Sequence, residues 1–421
     1  MARFKAPRGT VDILPQDAGL YRYIEETSRR IFKLYNYHQI STPIFEDVGV
    51  FIRGVGEITD IVEKQLLYVK QKDEPGVRYC LRPEGTSPVI RAYLEHNFKE
   101  KKLFYIGPMF RGERPQKGRL RQFLHIGAEY VDSYSFYCDL EIIEIVFRIA
   151  DSLGIKGYKL VINSLGCKDD KRRLKDLLRD KLVPFREELC PSCRQRLSKN
   201  VLRVLDCKNP SCRRIVGNIG LKIQDYLCRD CLNHYQLLKE ALRKRKLGFK
   251  EDPFLVRGLD YYTQTVFEFK HSSLGSQDAF AAGGRYNNLS QELGGRPLGC
   301  VGFALGVERT LLLLKHKSST FSDLGVFIAV QNNNFLSQAV ELLSILRREG
   351  ICSDMDYSPL SLKSQMRRAN LQGARFCIIL GEEEIRRKRV SVKDMRKNLQ
   401  VSLDRKELVG FLKENLYVKN S

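Results

Sequence analysis

A chain of 421 residues with 43% hydrophobic content is long enough for two or three domains with packed cores, which excludes intrinsic disorder. No run of about 18 apolar residues occurs, and the N-terminus MARFKAPRGTVDILPQD lacks the apolar core of a signal peptide, so a soluble, cytoplasmic protein with no membrane partner is expected. A net charge of +22 favours a polyanionic partner, and twelve cysteines without a secretory signal point to reduced thiols or metal ligation rather than disulfides.

Along the chain, residues 18–35 place Leu20, Ile24, Ile31 and Leu34 at helical spacing, and an extended segment follows at His38–Glu46. Thr86 and Ser87 start a helical run that ends before the strand LFYIGPMF. The stretch Phe110–Val131, FRGERPQKGRLRQFLHIGAEYV, reads as two strands joined by a basic loop. Its second strand alternates: Arg121, Phe123, His125 and Glu129 share one face, while Leu120, Leu124, Ile126, Ala128 and Tyr130 take the other. An arginine, an aromatic, a histidine and a carboxylate on one face read as a ligand floor, because buried charges require partners. The RPQKGR loop suits a phosphate-contacting flap, with a solvated hairpin tip as its alternative.

Asp139–Leu153 and Leu237–Leu247 read as amphipathic helices, Thr263–Phe269 and Ala279–Ala282 as strands, and Gly302–Lys315 as a glycine entry into a helix. Residues 324–421 alternate strand and helix, as expected of a compact α/β module. The charge surplus is local. Residues 156–252 carry 25 Lys and Arg against 12 Asp and Glu, and 325–421 carry 17 against 11, whereas 1–155 and 253–324 are nearly neutral. This is the layout of a catalytic body with two appended nucleic-acid-contacting modules.

Several short motifs carry candidate chemistry. Pro83-Glu84-Gly85-Thr86 offers an acceptor and a hydroxyl, and Arg257-Gly258-Leu259-Asp260-Tyr261-Tyr262 offers an arginine and two phenols beside a carboxylate. In Ala282-Gly283-Gly284-Arg285-Tyr286 the glycines would let backbone approach a ligand closely. Gly302–Arg309, GFALGVER, ends in an arginine suited to a terminal phosphate.

In this order the motifs resemble a known family. TPIFED within residues 42–47, FRGERPQKGRLRQF and GFALGVER are similar to motifs 1, 2 and 3 of class II aminoacyl-tRNA synthetases, and RGLDYY and AAGGRY resemble the two signature motifs of histidyl-tRNA synthetases. The resemblance implies an α+β catalytic core, an antiparallel sheet of six strands with flanking helices, formed by residues 1–155 and 253–323. It further implies an inserted basic domain, 156–252, a C-terminal α/β anticodon-binding domain, 324–421, and a homodimer formed through motif 1. The implied reaction joins histidine to tRNA-His through a histidyl-adenylate, with ATP and Mg²⁺ as the substrate complex.

The same resemblance implies residue roles. Arg111 and Arg257 would stabilise the reacting α-phosphate, and Arg309 would hold the γ-phosphate. Glu113 and Phe123 would bind and stack adenine, with Arg121 on the same face as Phe123. Glu84 and Thr86 suit the substrate amino group, Glu129 and Tyr262 its imidazole, with Tyr286 nearby. Arg114, Gln116 and Arg119 would touch the acceptor end of the tRNA. His125 departs from the family pattern, which has a glutamine there, and is expected to take over the α-amino group. A non-catalytic paralogue serving histidine biosynthesis, or a sensor of uncharged tRNA, would lack the anticodon module or the phosphate-handling arginines; both are present in this chain.

The cysteines of the insertion are read from spacing alone. Cys190-x2-Cys193 and Cys228-x2-Cys231 form a zinc signature, with Cys207 and Cys212 as competing ligands and reduced structural thiols as the alternative. Cys80, Cys138, Cys167, Cys300, Cys352 and Cys377 are read as core.

Overall fold

The computed structural model describes residues 4–56, 59, 61–70, 78–275, 278–314 and 324–416. The chain divides into two compact units, Met1–Lys317 and Ser318–Ser421. The first is built on an eight-stranded sheet. Its order is His38–Gln39, Lys102–Phe110, Gln122–Val131, Cys300–Gly306, Ala279–Arg285, Thr263–Lys270, Lys159–Ser164 and Phe249–Glu251. The six inner strands pair antiparallel, and the short strands at both edges pair parallel.

The expected strand pair forms the middle of this sheet, from Lys102 opposite Tyr130 to Phe110 opposite Gln122. Alternation decides its two faces. Leu124, Ile126, Ala128 and Tyr130 pack with Ile24, Ile31 and Phe32 of helix Pro15–Leu34 and with Ile142, Ile145, Val146 and Ile149 of helix Phe136–Ser152. Helix Pro15–Leu34 thus buries Phe32, whereas Leu34 is 75% exposed, one position off the expected stripe. The helix stops where Asn36 turns left-handed at φ 59°.

Other expectations shift. GFALG is the end of strand Cys300–Gly306, and only Val307–Leu311 is helical. Near the expected insertion boundaries, 156 and 252, the chain forms the sheet strands Lys159–Ser164 and Phe249–Glu251. Nor does the insertion stand apart. Its short helices Lys168–Leu182, Pro191–Lys199, Leu202–Leu205, Pro210–Asn218 and Arg229–Lys244 belong to the first unit. Leu174, Leu197, Val204 and Val216 share a core cluster with Val256, Tyr261 and Tyr286 of the catalytic motifs.

Motif 1 is tied down by a buried arginine. Phe45–Asp47, Tyr79–Leu81 and Leu67–Val69 make a small antiparallel sheet. Arg82 donates from Nη1 to the Thr42 carbonyl at 2.8 Å and Oγ1 at 3.0 Å, and from Nε to the Pro108 carbonyl at 3.0 Å. Ile44, Phe45 and Tyr68 are 46, 48 and 58% exposed on this element.

The second unit is a five-stranded sheet in the order Ser353–Met355, Val326–Val330, Phe376–Leu380, Arg389–Asp394, Leu399–Asp404. The first three strands are parallel, as the strand–helix alternation predicts. The final antiparallel hairpin was not anticipated, because charged residues interrupt Arg389–Asp394 and the outer strand is largely exposed.

Candidate active site

The polar face of the central strands floors a cavity of about 950 Å³. Phe123 and His125 come from the strand Gln122–Val131, Glu84 and Thr86 from the start of helix Thr86–His96, and Arg257, Tyr261 and Tyr262 from the RGLDYY segment. Tyr286, Gly302, Arg309, Arg111, Glu113 and Arg119 complete the wall that the sequence motifs define.

At its deep end, a carboxylate is set beneath hydroxyls. Glu129 is fully buried; it accepts from Thr86 Oγ1 at 2.7 Å and from the Tyr286 hydroxyl. Burial pushes its pKa up to about 8 against the opposing pull of these hydrogen bonds. The strand opposite has to be glycine here, since a Cβ on Gly302 would lie 1.6 Å from Glu129 Oε2. Glu84 works locally: its two oxygens accept from the Thr86 and Ser87 amides at 2.7 and 3.0 Å, satisfying the open N–H groups of the helix start. The Tyr261 hydroxyl also reaches Glu84, at 3.5 Å.

Nearer the mouth the wall is cationic. Arg111 donates to the Pro83 carbonyl at 2.9 Å and stands 5.3 Å over the Phe123 ring. Arg309 donates to the carbonyls of Ala279 at 2.6 Å and Gly118 at 3.3 Å. Burial, reinforced by Arg119, Arg111 and Arg257, brings Arg309 down to about 10, so these guanidiniums repel one another in a site preset for an anion. Glu113 pairs with Arg119 at 3.1 Å, and Arg257 pairs with Glu268, which also holds Lys270 at 3.0 Å.

His125 is neutral here. Burial, then the charges of Arg111, Arg309 and Arg82, push its pKa well below the usual imidazole value. Its Nδ1 is buried without a hydrogen-bond partner among the described residues.

The structure therefore gathers most of the expected residues and separates a few. Arg121 is not on the cavity wall: it packs on Gly9, and its Nε donates to the Glu113 carbonyl at 3.3 Å. The strand begins only at Gln122, which ends the alternation one residue short of Arg121. Arg114 and Gln116 are exposed on the loop, away from the wall. Glu129 lies behind the wall and meets the cavity through Thr86 and Tyr286. Arg285 of the AAGGRY segment is wholly buried in an ion pair with Asp139 at 2.7 Å, so Ala281, Ala282 and Tyr286 of that motif line the cavity and its arginine does not.

Sequence reading missed Tyr105, Glu268 and Lys270, and named Tyr261 in its motif without a role. Tyr105 is confined in the fold by two distant glycines, on which a Cβ would lie 2.4 Å (Gly85) and 2.3 Å (Gly127) from its ring, a contact the sequence does not announce. Lys171 was missed as well. It is half-buried, brought down to about 8 by desolvation, and donates to the carbonyls of Asp260 and of Tyr262, the latter at 3.1 Å, which fixes the RGLDYY turn.

The cysteines regroup. The predicted set Cys190, Cys193, Cys228 and Cys231 does not come together. Cys190 and Cys193 cluster with Cys207 and Cys212, while Cys228 and Cys231 cluster with Cys167 and Asp170. The two CxxC pairs cap different helices, Pro191–Lys199 and Arg229–Lys244, and Cys167, read as core, caps a third, Lys168–Leu182.

An antiparallel sheet floor, an arginine-lined cavity and a mixed-sheet α/β C-terminal unit fit a class II aminoacyl-tRNA synthetase. Comparison with known proteins agrees. A family model for histidyl-tRNA synthetase matches residues 9–310, and one for the anticodon binding domain matches 325–415. The chain is 44% identical over 406 residues to the histidine--tRNA ligase of Halothermothrix orenii, covering 95% of this chain and 96% of the relative. It is 43% identical to that of Aquifex aeolicus, covering 92 and 95%. The apo histidyl-tRNA synthetase of S. aureus superposes with a TM-score of 0.79 at 34% identity, covering 97% of this chain and all of the other. The chain belongs to the histidyl-tRNA synthetase family.

Proposed function

We propose that the protein attaches histidine to tRNA-His in the cytoplasm, through a histidyl-adenylate made from histidine and ATP. The observation that carries this reading is the buried Glu129, bridged by Thr86 and Tyr286, at the end of an arginine-lined cavity. A carboxylate that desolvation holds near pKa 8 gains by meeting a cationic or hydrogen-bonding ring, and imidazole is both. Tyr262 lies beside it, and the free Nδ1 of the neutral His125 would accept from the substrate ammonium group. Polar groups left unpaired by any other side chain would discriminate by roughly 10⁴-fold.

In the first step the histidine carboxylate attacks the α-phosphorus and pyrophosphate leaves. Charge grows on the nonbridging oxygens, where Arg111 and Arg257 lower the barrier, while Arg309 holds the γ-phosphate. Phe123 stacks the adenine and Glu113 accepts from its amino group. Glu268, the carboxylate paired with Arg257 and Lys270, is the residue that would meet a phosphate-borne Mg²⁺, which when bound neutralises the outer phosphates. In the second step a terminal hydroxyl of the tRNA attacks the activated carbonyl and AMP leaves. The loop residues Arg114, Gln116 and Arg119 meet the acceptor end, and the basic insertion meets its phosphates.

The exposed Ile44, Phe45 and Tyr68 beside motif 1 fit a homodimer face. The domain scheme is a catalytic core interrupted by a cysteine-rich, metal-binding insertion and followed by the anticodon unit. Histidine-dependent ATP–pyrophosphate exchange tests the enzyme reading: saturation by histidine supports it, and no exchange from folded protein refutes it.

A further inference from the structure

Resting on the reading of the insertion as metal-binding, we propose that Cys190, Cys193, Cys207 and Cys212 form a tetrathiolate zinc site that holds one wall of the cavity in place. The four sulfurs lie within 4.8 Å of one another, and Cys190 Sγ is 3.9 Å from Cys207 Sγ. Four thiolates about 2.3 Å from a tetrahedral zinc are separated by about 3.8 Å, so the sulfurs stand close to ligating positions.

Their supports are those of a metal site. The Cys190 amide donates to Cys212 Sγ at 3.2 Å and the Asn209 amide to Cys207 Sγ at 3.4 Å, an outer layer that orients sulfur and favours the thiolate. Both pairs sit where a proline starts a helix, Pro191–Lys199 and Pro210–Asn218, so the turns are preset. A zinc with four thiolates carries a charge of −2. Between residues 190 and 214 the chain places Arg194, Arg196, Lys199, Arg203, Lys208, Arg213 and Arg214 against a single acid, Asp206, which offsets that charge.

The second cluster is explained without a metal. Asp170 accepts from the Cys167 amide at 3.2 Å and the Cys228 amide at 3.0 Å and pairs with Arg173. Its carboxylate thereby closes the start of helix Lys168–Leu182 and joins it to the start of Arg229–Lys244, leaving three thiols.

The first cluster has a consequence for the active site. Cys207 lies on the cavity wall with Arg196, Arg203, Lys208 and Arg213. Between the two cysteine pairs, Asn200 donates to the Asp260 carboxylate at 3.2 Å, and Arg196 donates to the Arg203 carbonyl at 3.2 Å. The Arg203 guanidinium lies so close to Gly258 that a Cβ there would come within 2.9 Å of it. A metal joining the two helices therefore pins residues 200–208 onto the RGLDYY turn and aims basic side chains into the cavity.

The test is zinc content of the full-length protein purified under reducing conditions, without chelator. About one equivalent is expected, with Cys190→Ser and Cys212→Ser losing it and Cys228→Ser keeping it. Should the serine variants fail to fold, cobalt added to chelator-treated wild type should give the intense bands of tetrahedral thiolate ligation. Wild type holding less than about half an equivalent after zinc is supplied, or losing its zinc in Cys228→Ser but not in Cys190→Ser, overturns the proposal. Exchange activity on the same samples separates this from the enzymatic reading: an active, zinc-free wild type refutes the metal site alone, and a zinc-loaded, inactive one refutes the activity alone.

Discussion

The catalytic floor and the cysteine-rich insertion sit in the same compact unit but are held in different ways. On the floor, long paired strands fix each side chain by register: Glu129 faces Gly302, and His125 faces Gly306 on one side and Gly107 on the other. The insertion is a set of helices, four to sixteen residues long, whose ends are gathered at two clusters of sulfur. A sheet positions groups through its backbone ladder, whereas these helices are held by buried side chains such as Leu174, Leu197, Val204 and Val216 and by whatever gathers their ends, where the proposed zinc would act as a cross-link. The comparison predicts that the floor is sensitive to single atoms and the insertion to its ligands.

The largest effect is expected at the reacting phosphate. Arg257→Ala should lower kcat for pyrophosphate exchange by about 10³, and Arg257→Lys should not restore it, because an ammonium cannot reproduce the fork that also holds Glu268. A fall below about threefold would remove Arg257 from the chemistry. Next comes Gly302→Ala, whose methyl overlaps the Glu129 carboxylate; KM for histidine should rise by about 10², measured with ATP saturating.

Smaller is the pH effect of Glu129. Its folded pKa, about 8, exceeds the ordinary 4.5, so the folded state binds the extra proton in that window and its stability falls as pH rises from about 4.5 to about 8. Glu129→Gln cannot ionise. Without histidine, its Tm relative to wild type should therefore rise between pH 5 and pH 8.5 by a few degrees, by roughly the scale on which kcal/mol convert to Tm. A constant difference would mean that Glu129 is already ionised. Smallest is His125→Ala, expected to raise KM for histidine by about tenfold with kcat nearly unchanged; an unaltered KM rules out its contact with the amino group.

The same contrast explains what could be read from the sequence. Alternation along Phe123–Val131 and the motif order disclose the floor, because period two is a local property of a strand. Arg121 misleads because the strand starts one residue later, and Glu268 and Lys270 were missed because an ordinary strand of mixed residues says nothing about which cavity it borders. Cysteine spacing announces ligands but not partners: pairing depends on which helix starts meet, and the fold brings Cys190 and Cys193 to Cys207 and Cys212 but Cys228 and Cys231 to Cys167 and Asp170. The hairpin Arg389–Asp404 was obscured by charged residues on its exposed outer strand.

The central claim is that this floor makes and then spends a histidyl-adenylate. Enzyme mixed with histidine and ATP labelled in the α-phosphate, without tRNA, should accumulate enzyme-bound histidyl-AMP. Addition of tRNA-His transcript should convert it to histidyl-tRNA and free AMP. Absence of any labelled adenylate from folded protein, or an adenylate that tRNA-His does not discharge, would contradict the account.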